Sequence, residues 1–129
     1  MNYCLHITAQ PYSSQGATSA LLFARELVQR GHNVSRVFFS GEGVLNGNAI
    51  ACPPQDELNI TQAWNDFAKD NGSELILCIA SALKYGVVDE ENAQRYERSQ
   101  SNLQEGFILS GLGQLVEASL LNDRLVRFS

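Results

Sequence analysis

Five side chains of this 129-residue sequence suit nucleophilic or metal chemistry best: Cys4, Cys52, Cys78, His6 and His32. An odd, sparse set of cysteines without CxxC spacing makes neither a disulfide framework nor a zinc knuckle. Two histidines without HExxH spacing carry no metal-site signature. Cys78 stands apart by position. It lies near the end of the apolar run Glu74-Leu75-Ile76-Leu77-Cys78-Ile79, which passes straight into Ala80-Ser81-Ala82-Leu83-Lys84-Tyr85, a helix-like segment stopped by Gly86. In open α/β sheets, the end of a strand where it hands over to a helix is a common address for chemistry. There the amides of Ala80, Ser81 and Ala82, with the Ser81 hydroxyl, are the expected supporting donors, because a helix N-terminus favours a thiolate. Unpaired cysteine is also among the most buried residue types, so simple packing is the competing reading of Cys78.

The other four residues offer less. Cys4 falls within a strand with no helix start beside it, where inert packing is the commoner case. Cys52 precedes Pro53-Pro54 in an irregular stretch and reads as loop filler. His6 falls in the first strand, and nothing in the sequence requires it to pair with Cys78. His32 follows the helix-stopping Gly31, where an imidazolium suits a helix C-terminus.

The elements that must position Cys78 follow from periodicity and punctuation. Tyr3 to Ala9 reads as a strand, and Pro11 breaks it. Ser13 or Ser14 is placed to cap a helix over Ala17 to Arg30, whose apolar residues recur at helical spacing up to Gly31. Asn33 to Phe39 is a second strand, completing a β-α-β unit that implies a parallel pair. Ser40 to Asn59 is a long irregular stretch, with a helical turn at Val44 to Asn46, of the kind that carries function or partner contacts. A second helix starts at Leu58 or Asn59 and ends near Asn71-Gly72. Its successor, Glu74 to Ile79, is continuously apolar, as a central parallel strand covered on both faces should be. A polar helix over Asp89 to about Glu97, a short strand Phe107 to Leu109, a helix Gln114 to Leu121 and an alternating edge strand Arg124 to Phe128 complete the order. It predicts one domain over residues 1–129: an open, mostly parallel, five-stranded α/β sheet flanked by helices in three layers, flavodoxin- or Rossmann-like. The reactive site belongs beyond the carboxyl ends of the strands, near a topological switch point, with the third strand as its expected neighbour.

Composition narrows the function. Hydrophobic residues make up 44% and charged residues 18%, an ordinary globular balance. A net charge of -5 without any basic run argues against direct nucleic-acid binding, which needs clustered Lys and Arg. The N-terminal residues lack a signal-peptide pattern, and no apolar run reaches the roughly 18 residues of a membrane span. The expectation is a cytoplasmic protein with free thiols. Neither GxGxxG nor GxxxxGK[ST] is present, so nucleotide binding has no signature. A flavin site through the serine-containing loop Ser13-Ser14-Gln15-Gly16 is the alternative that the fold class allows.

Several separated segments, in order, carry a resemblance. They are Val37-Phe38-Phe39 with Glu42-Gly43-Val44, Cys78-Ile79-Ala80-Ser81-Ala82-Leu83, Gly86-Val87-Val88-Asp89-Glu90, the run from Ser101 to Gly113, and Glu117-Ala118-Ser119. On these the chain resembles, over essentially its full length, the DsrE/TusD-like family of sulfur-relay subunits. The resemblance implies that Cys78 is the active cysteine and that it works as a persulfide, without metal, nucleotide or redox cofactor. It further implies sulfane sulfur from a TusA donor and delivery to a TusE acceptor, for 2-thiolation of the wobble uridine of tRNA. Assembly with TusB- and TusC-type subunits as a dimer of heterotrimers follows from the same resemblance. A non-catalytic scaffold of the same fold is the alternative, because fold alone does not require an active thiol.

Overall fold

A computed structural model describes all residues, 1–129. Five strands form one sheet: β1 (Asn2–Ile7), β2 (Asn33–Phe39), β3 (Glu74–Cys78), β4 (Phe107–Ser110) and β5 (Arg124–Phe128). Their order is β4-β3-β2-β1-β5, and every pairing is parallel, where the sequence implied a mostly parallel sheet. The helices are α1 (Gly16–Gln29), α2 (Ile60–Asn71), α3 (Ile79–Lys84), α4 (Glu90–Arg95) and α5 (Gly113–Leu121). Within the long irregular stretch the chain winds a 3-10 helix over Gly41–Gly47.

The alternation of side chains along each strand divides the core. Leu5, Ile7, Val37, Phe39, Leu75, Leu77 and Phe107 face α1 and α2, meeting Ala17, Ala20, Leu21, Ala24, Trp64 and Phe67 in the main core. Trp64 is its largest member and packs edge-on against Phe39 and Phe67, with ring centroids 5.8 and 6.0 Å apart. The opposite face, carrying Phe38, Ile76 and Cys78, is met by Leu115 of α5. The Arg36 guanidinium pins that helix down. It donates to the Gln114 carbonyl at 2.9 Å and reaches the carboxylates of Glu117 at 3.3 Å and Glu74 at 2.9 Å. Burial works against the charge of Arg36, but the two carboxylates more than offset it and raise its pKa above the ordinary arginine value.

Several element boundaries follow local chemistry closely. Asn59 caps α2 by accepting from the Gln62 amide, and Gly72 closes it in the left-handed conformation. Asp89 caps α4 in the same way, accepting from the Asn92 amide. The start of α1 differs from expectation. Its cap is Gln15, which makes no side-chain capping bond, while the Ser14 hydroxyl accepts from the Gly16 amide one residue further out. The switch point also differs. The chain runs outward from β1 through β2 and β3 to β4, then returns to place β5 on the other side of β1. The reversal lies between β1 and β5, so β3 is not its neighbour.

The turn after β2 sits tightly on the end of β1. A Cβ on Gly43 would run into the Ile7 carbonyl, so only glycine lets the 3-10 turn close there. Gly43→Ala should lower unfolding stability by about 1–3 kcal/mol through forced displacement of this turn. Urea denaturation of the two proteins measures it, and equal midpoints would show that the turn gives way freely.

Candidate active site

Cys78 is the last residue of β3 and the N-cap of α3, so strand and helix meet at the thiol. Its side chain is 5% exposed and packs with Phe38, Ile76 and Leu115. The ladder pairs it with Ser110 of β4. On its other side stands β2, where the last pair of the ladder is Phe39 with Leu77. One step beyond, Ser40 continues in extended backbone at φ -139° and ψ 167°. Ser40 therefore stands level with Cys78 and shares its face of the sheet.

The predicted supporting donors have mixed fates. Ala80, Ser81 and Ala82 do lie in the first turns of α3, but the Cys78 thiol makes no capping hydrogen bond with that helix. The Ser81 hydroxyl is engaged elsewhere: it accepts from the Gly41 amide at 3.0 Å, tying α3 to the turn that follows Ser40. Ala82 is fully buried and packs into the main core.

The histidines separate cleanly. His32 Nδ1 lies 3.1 Å from the N-terminal nitrogen, beyond α1. His6 is on β1, two strands from β3 and on the same face as Cys78. It makes no direct dyad with the thiol. Its Nε2 lies 2.7 Å from the Ser40 hydroxyl oxygen, and its ring packs edge-on against Phe38 at 5.9 Å. Burial, and then the positive charge of Arg127, lower its pKa below the ordinary histidine value. Sequence reasoning passed over Ser40 and Ser110. The only signal for either was its place at the end of an apolar strand, and pairing between strands was needed to give that place meaning.

All three cysteines are free. Cys4 is fully buried in β1, and desolvation, only partly countered by Arg36, pushes its thiol up to about 11. Cys52 is exposed in the loop, with its thiol 3.3 Å from the Ile50 carbonyl. No three His, Cys, Asp or Glu side chains gather in a group that would hold a metal ion. The amides of the loop after β1, where the flavin alternative would bind phosphate, are partly spoken for. Gln10 Oε1 accepts from Tyr12 and Ser13, and Ser14 accepts from Gly16.

The two largest surface clefts lie away from Cys78. One, of about 470 Å³, surrounds Arg36 and Glu74 at the amino ends of the strands. The other, of about 500 Å³, lies beside the far end of α3 near Lys84 and Arg98. No helix is long and apolar enough to cross a membrane.

An all-parallel sheet flanked by helices, with a single thiol at a strand-to-helix junction, defines an α/β protein with one cysteine at the carboxyl edge of its strands. Residues 1–128 match the model of the DsrE/DsrF-like family, and the chain belongs to that family. It is 48% identical to Sulfurtransferase TusD of Serratia proteamaculans over 99% of both chains. It is 47% identical to Sulfurtransferase TusD of Erwinia tasmaniensis, over 99% of this chain and 100% of that one. Its architecture is similar to the crystal structure of the ychN protein from E. coli, with a TM-score of 0.77 at 21% identity, covering 99% of this chain and 100% of that chain. At that identity the likeness speaks for the fold.

The contrast between the buried Cys4 and the exposed Cys52 is testable. With its pKa near 11, Cys4 holds only about one part in a thousand as thiolate at pH 8. Iodoacetamide at that pH should label Cys52 readily and leave Cys4 unmodified until the protein unfolds, as read by peptide mass spectrometry. The sign with pH follows. The unfolded Cys4 thiol, at the ordinary 9.0, loses its proton before the folded one, so stability falls as pH rises from 9.0 to 11. Cys4→Ala should flatten that decline, and an unchanged slope would contradict the assignment.

Proposed function

We propose that this chain is a sulfurtransferase that carries sulfane sulfur on Cys78 as a persulfide. It takes the sulfur from a TusA-type donor and passes it to a TusE-type acceptor, in the cytoplasmic relay that ends in 2-thiolation of the tRNA wobble uridine. The observation that carries the reading is the placement of Cys78. It is the only one of the three thiols at the carboxyl end of a strand, in a chain whose full-length relatives are named sulfurtransferases.

The step balances without an oxidant. The Cys78 sulfur attacks the terminal sulfur of the donor persulfide, a new S–S bond forms, and the donor's own S–S bond breaks. The donor leaves as a thiol, and Cys78 becomes a persulfide. Delivery to the acceptor repeats the exchange in the forward direction. The thiol lies outside both large clefts, which favours a sulfur that arrives on another protein's cysteine over a small molecule held in a pocket. The net charge of -5 favours handing sulfur to a protein over touching tRNA directly. The amides of Ala80 and Ser81 in the first turn of α3, where helix N–H groups lack intrahelical partners, are the proposed donors to a persulfide anion on Cys78.

Partner subunits have a surface to meet. Leu112 at the N-cap of α5 and Val116, Leu120 and Leu121 within it are exposed, Leu120 at 79%, and Ile108 and Leu125 on the two edge strands are exposed as well. Clustered apolar exposure of this kind marks an interaction surface, and TusB- and TusC-type subunits in a dimer of heterotrimers are the proposed occupants.

Two experiments test these readings. Incubation with a persulfidated TusA should add one sulfur atom to Cys78 by mass spectrometry, and Cys78→Ser should abolish both the adduct and tRNA thiolation in cells. Full thiolation with Cys78→Ser would leave the chain a scaffold. Separately, Val116→Asp with Leu120→Asp should reduce co-purification with TusB- and TusC-type subunits by about tenfold or more while leaving the monomer folded. Undiminished assembly would move the interface elsewhere.

A further inference from the structure

Sulfur exchange at Cys78 alone leaves His6 and Ser40 without a role. Their hydrogen bond, at 2.7 Å, joins β1 to the end of β2 on the face that carries Cys78. Two ladders fix the arrangement. His6 pairs with Phe38, Phe38 pairs with Ile76, and two residues on from these partners stand Ser40 and Cys78. Ser40 thus stands on the strand between those of the imidazole and the thiol, its backbone one strand spacing, about 4.8 Å, from that of Cys78.

Ser40 is held firmly. Its amide donates to the Ile7 carbonyl at 3.1 Å, and its carbonyl accepts from Gly43 at 3.0 Å. The next residue, Gly41, is tied to Ser81 of α3. The hydroxyl has little freedom beyond its own rotation. A hydroxyl that donates to a neutral imidazole keeps its lone pairs free for a second donor, and the thiol is the protic side chain level with it on the neighbouring strand.

We propose that Ser40 and His6 form a proton-holding pair for Cys78, with Ser40 facing the thiol and His6 acting through Ser40 as a positioning residue. The inference rests on the sulfur-carrier reading of Cys78. As the donor persulfide arrives, the Cys78 S–H proton passes to the Ser40 oxygen, and the Ser40 proton passes to His6 Nε2. The Cys78 sulfur attacks the terminal sulfane sulfur, the donor's S–S bond breaks, and its electron pair leaves with the donor thiolate. That thiolate takes the proton back from the pair, so the donor ends as a thiol and His6 and Ser40 return to their starting state. No external oxidant or reductant enters. In the resting structure Ser40 is turned to His6 and the thiol makes no capping bond, as befits a relay whose second hydrogen bond closes only with the substrate in place.

The surroundings keep the imidazole an acceptor. Partial burial and Arg127, its register partner on β5, both disfavour a charged ring. On β2 the charge of Arg36 is met by Glu74 of β3 and Glu117 of α5. Cys4, on the same strand as His6, stays protonated; on α3 the Ser81 hydroxyl is held by the Gly41 amide, and the one charged residue, Lys84, is at the far end of the helix. No carboxylate of this face is paired with His6.

The test uses the full chain with glutathione persulfide as donor, following sulfur uptake at Cys78 by mass spectrometry between pH 5 and 9, with alkylation of Cys78 by iodoacetamide in parallel. The wild-type rates should lose efficiency as pH falls through the lowered titration of His6. His6→Gln and Ser40→Ala should each slow uptake at pH 7 about tenfold or more and erase that inflection. The double variant should be no slower than either single one. Natively folded variants that keep the wild-type profile would overturn the pair while leaving the carrier reading intact. If wild-type Cys78 takes up no sulfur but its alkylation keeps the His6-dependent inflection, the carrier reading fails and the pair stands. Should a variant not fold, imidazole NMR of the wild type decides. Alkylation of Cys78 should displace the His6 titration, and an unmoved titration would overturn the pair.

Discussion

Parallel, in-register pairing of β1, β2 and β3 is the constraint on which the rest of this structure depends. Each strand alternates its side chains with a period of two, so a fixed register decides which residues share a face. One face receives Leu5, Val37 and Leu75 for the main core, and the other receives His6, Phe38, Ile76 and Cys78. A slip of one residue in β3 would send Cys78 into the core against α2 and turn Leu77 toward α5. The same ladder, carried one step past Phe39 and Leu77, brings Ser40 level with the thiol.

The two faces are covered unequally, and the thiol of Cys78 lies on the thinner side. The face under α1 and α2 is sealed by Trp64, Phe67, Leu21 and their neighbours. The other face has α5 alone, a nine-residue helix whose one buried residue is Ala118. With so little apolar contact of its own, α5 depends on Arg36, which joins its Gln114 carbonyl and Glu117 to Glu74 at the start of β3. The exposed leucines of α5 and the edge-strand residues Ile108 and Leu125 lie on this thinner side, so the exposed apolar surface and the thiol share one face of the sheet.

Two buried cysteines on that same face differ in their position along a strand. Cys4 is enclosed in mid-strand, where desolvation holds its proton firmly. Cys78 is nearly as buried, yet it ends its strand at the first turn of α3, between the Ser40 and Ser110 positions of neighbouring strands. Burial alone does not distinguish the pair. What surrounds the sulfur at the strand end does.

The sequence by itself determined the elements and singled out the thiol. Apolar runs, Asn59, Gly72 and Asp89 mark strands and helix ends through local chemistry that needs no distant partner. Cys78 was legible for the same reason, since a strand passing directly into a small-residue helix is a local pattern. What surrounds the thiol was decided only by tertiary structure. Strand order put the switch point between β1 and β5, away from β3, and made the sheet wholly parallel. It also gave the Ser81 hydroxyl to Gly41, and set Ser40 between His6 and Cys78. These are pairings between residues more than thirty positions apart, and backbone hydrogen bonding across strands carries no trace of its register in a single stretch of sequence.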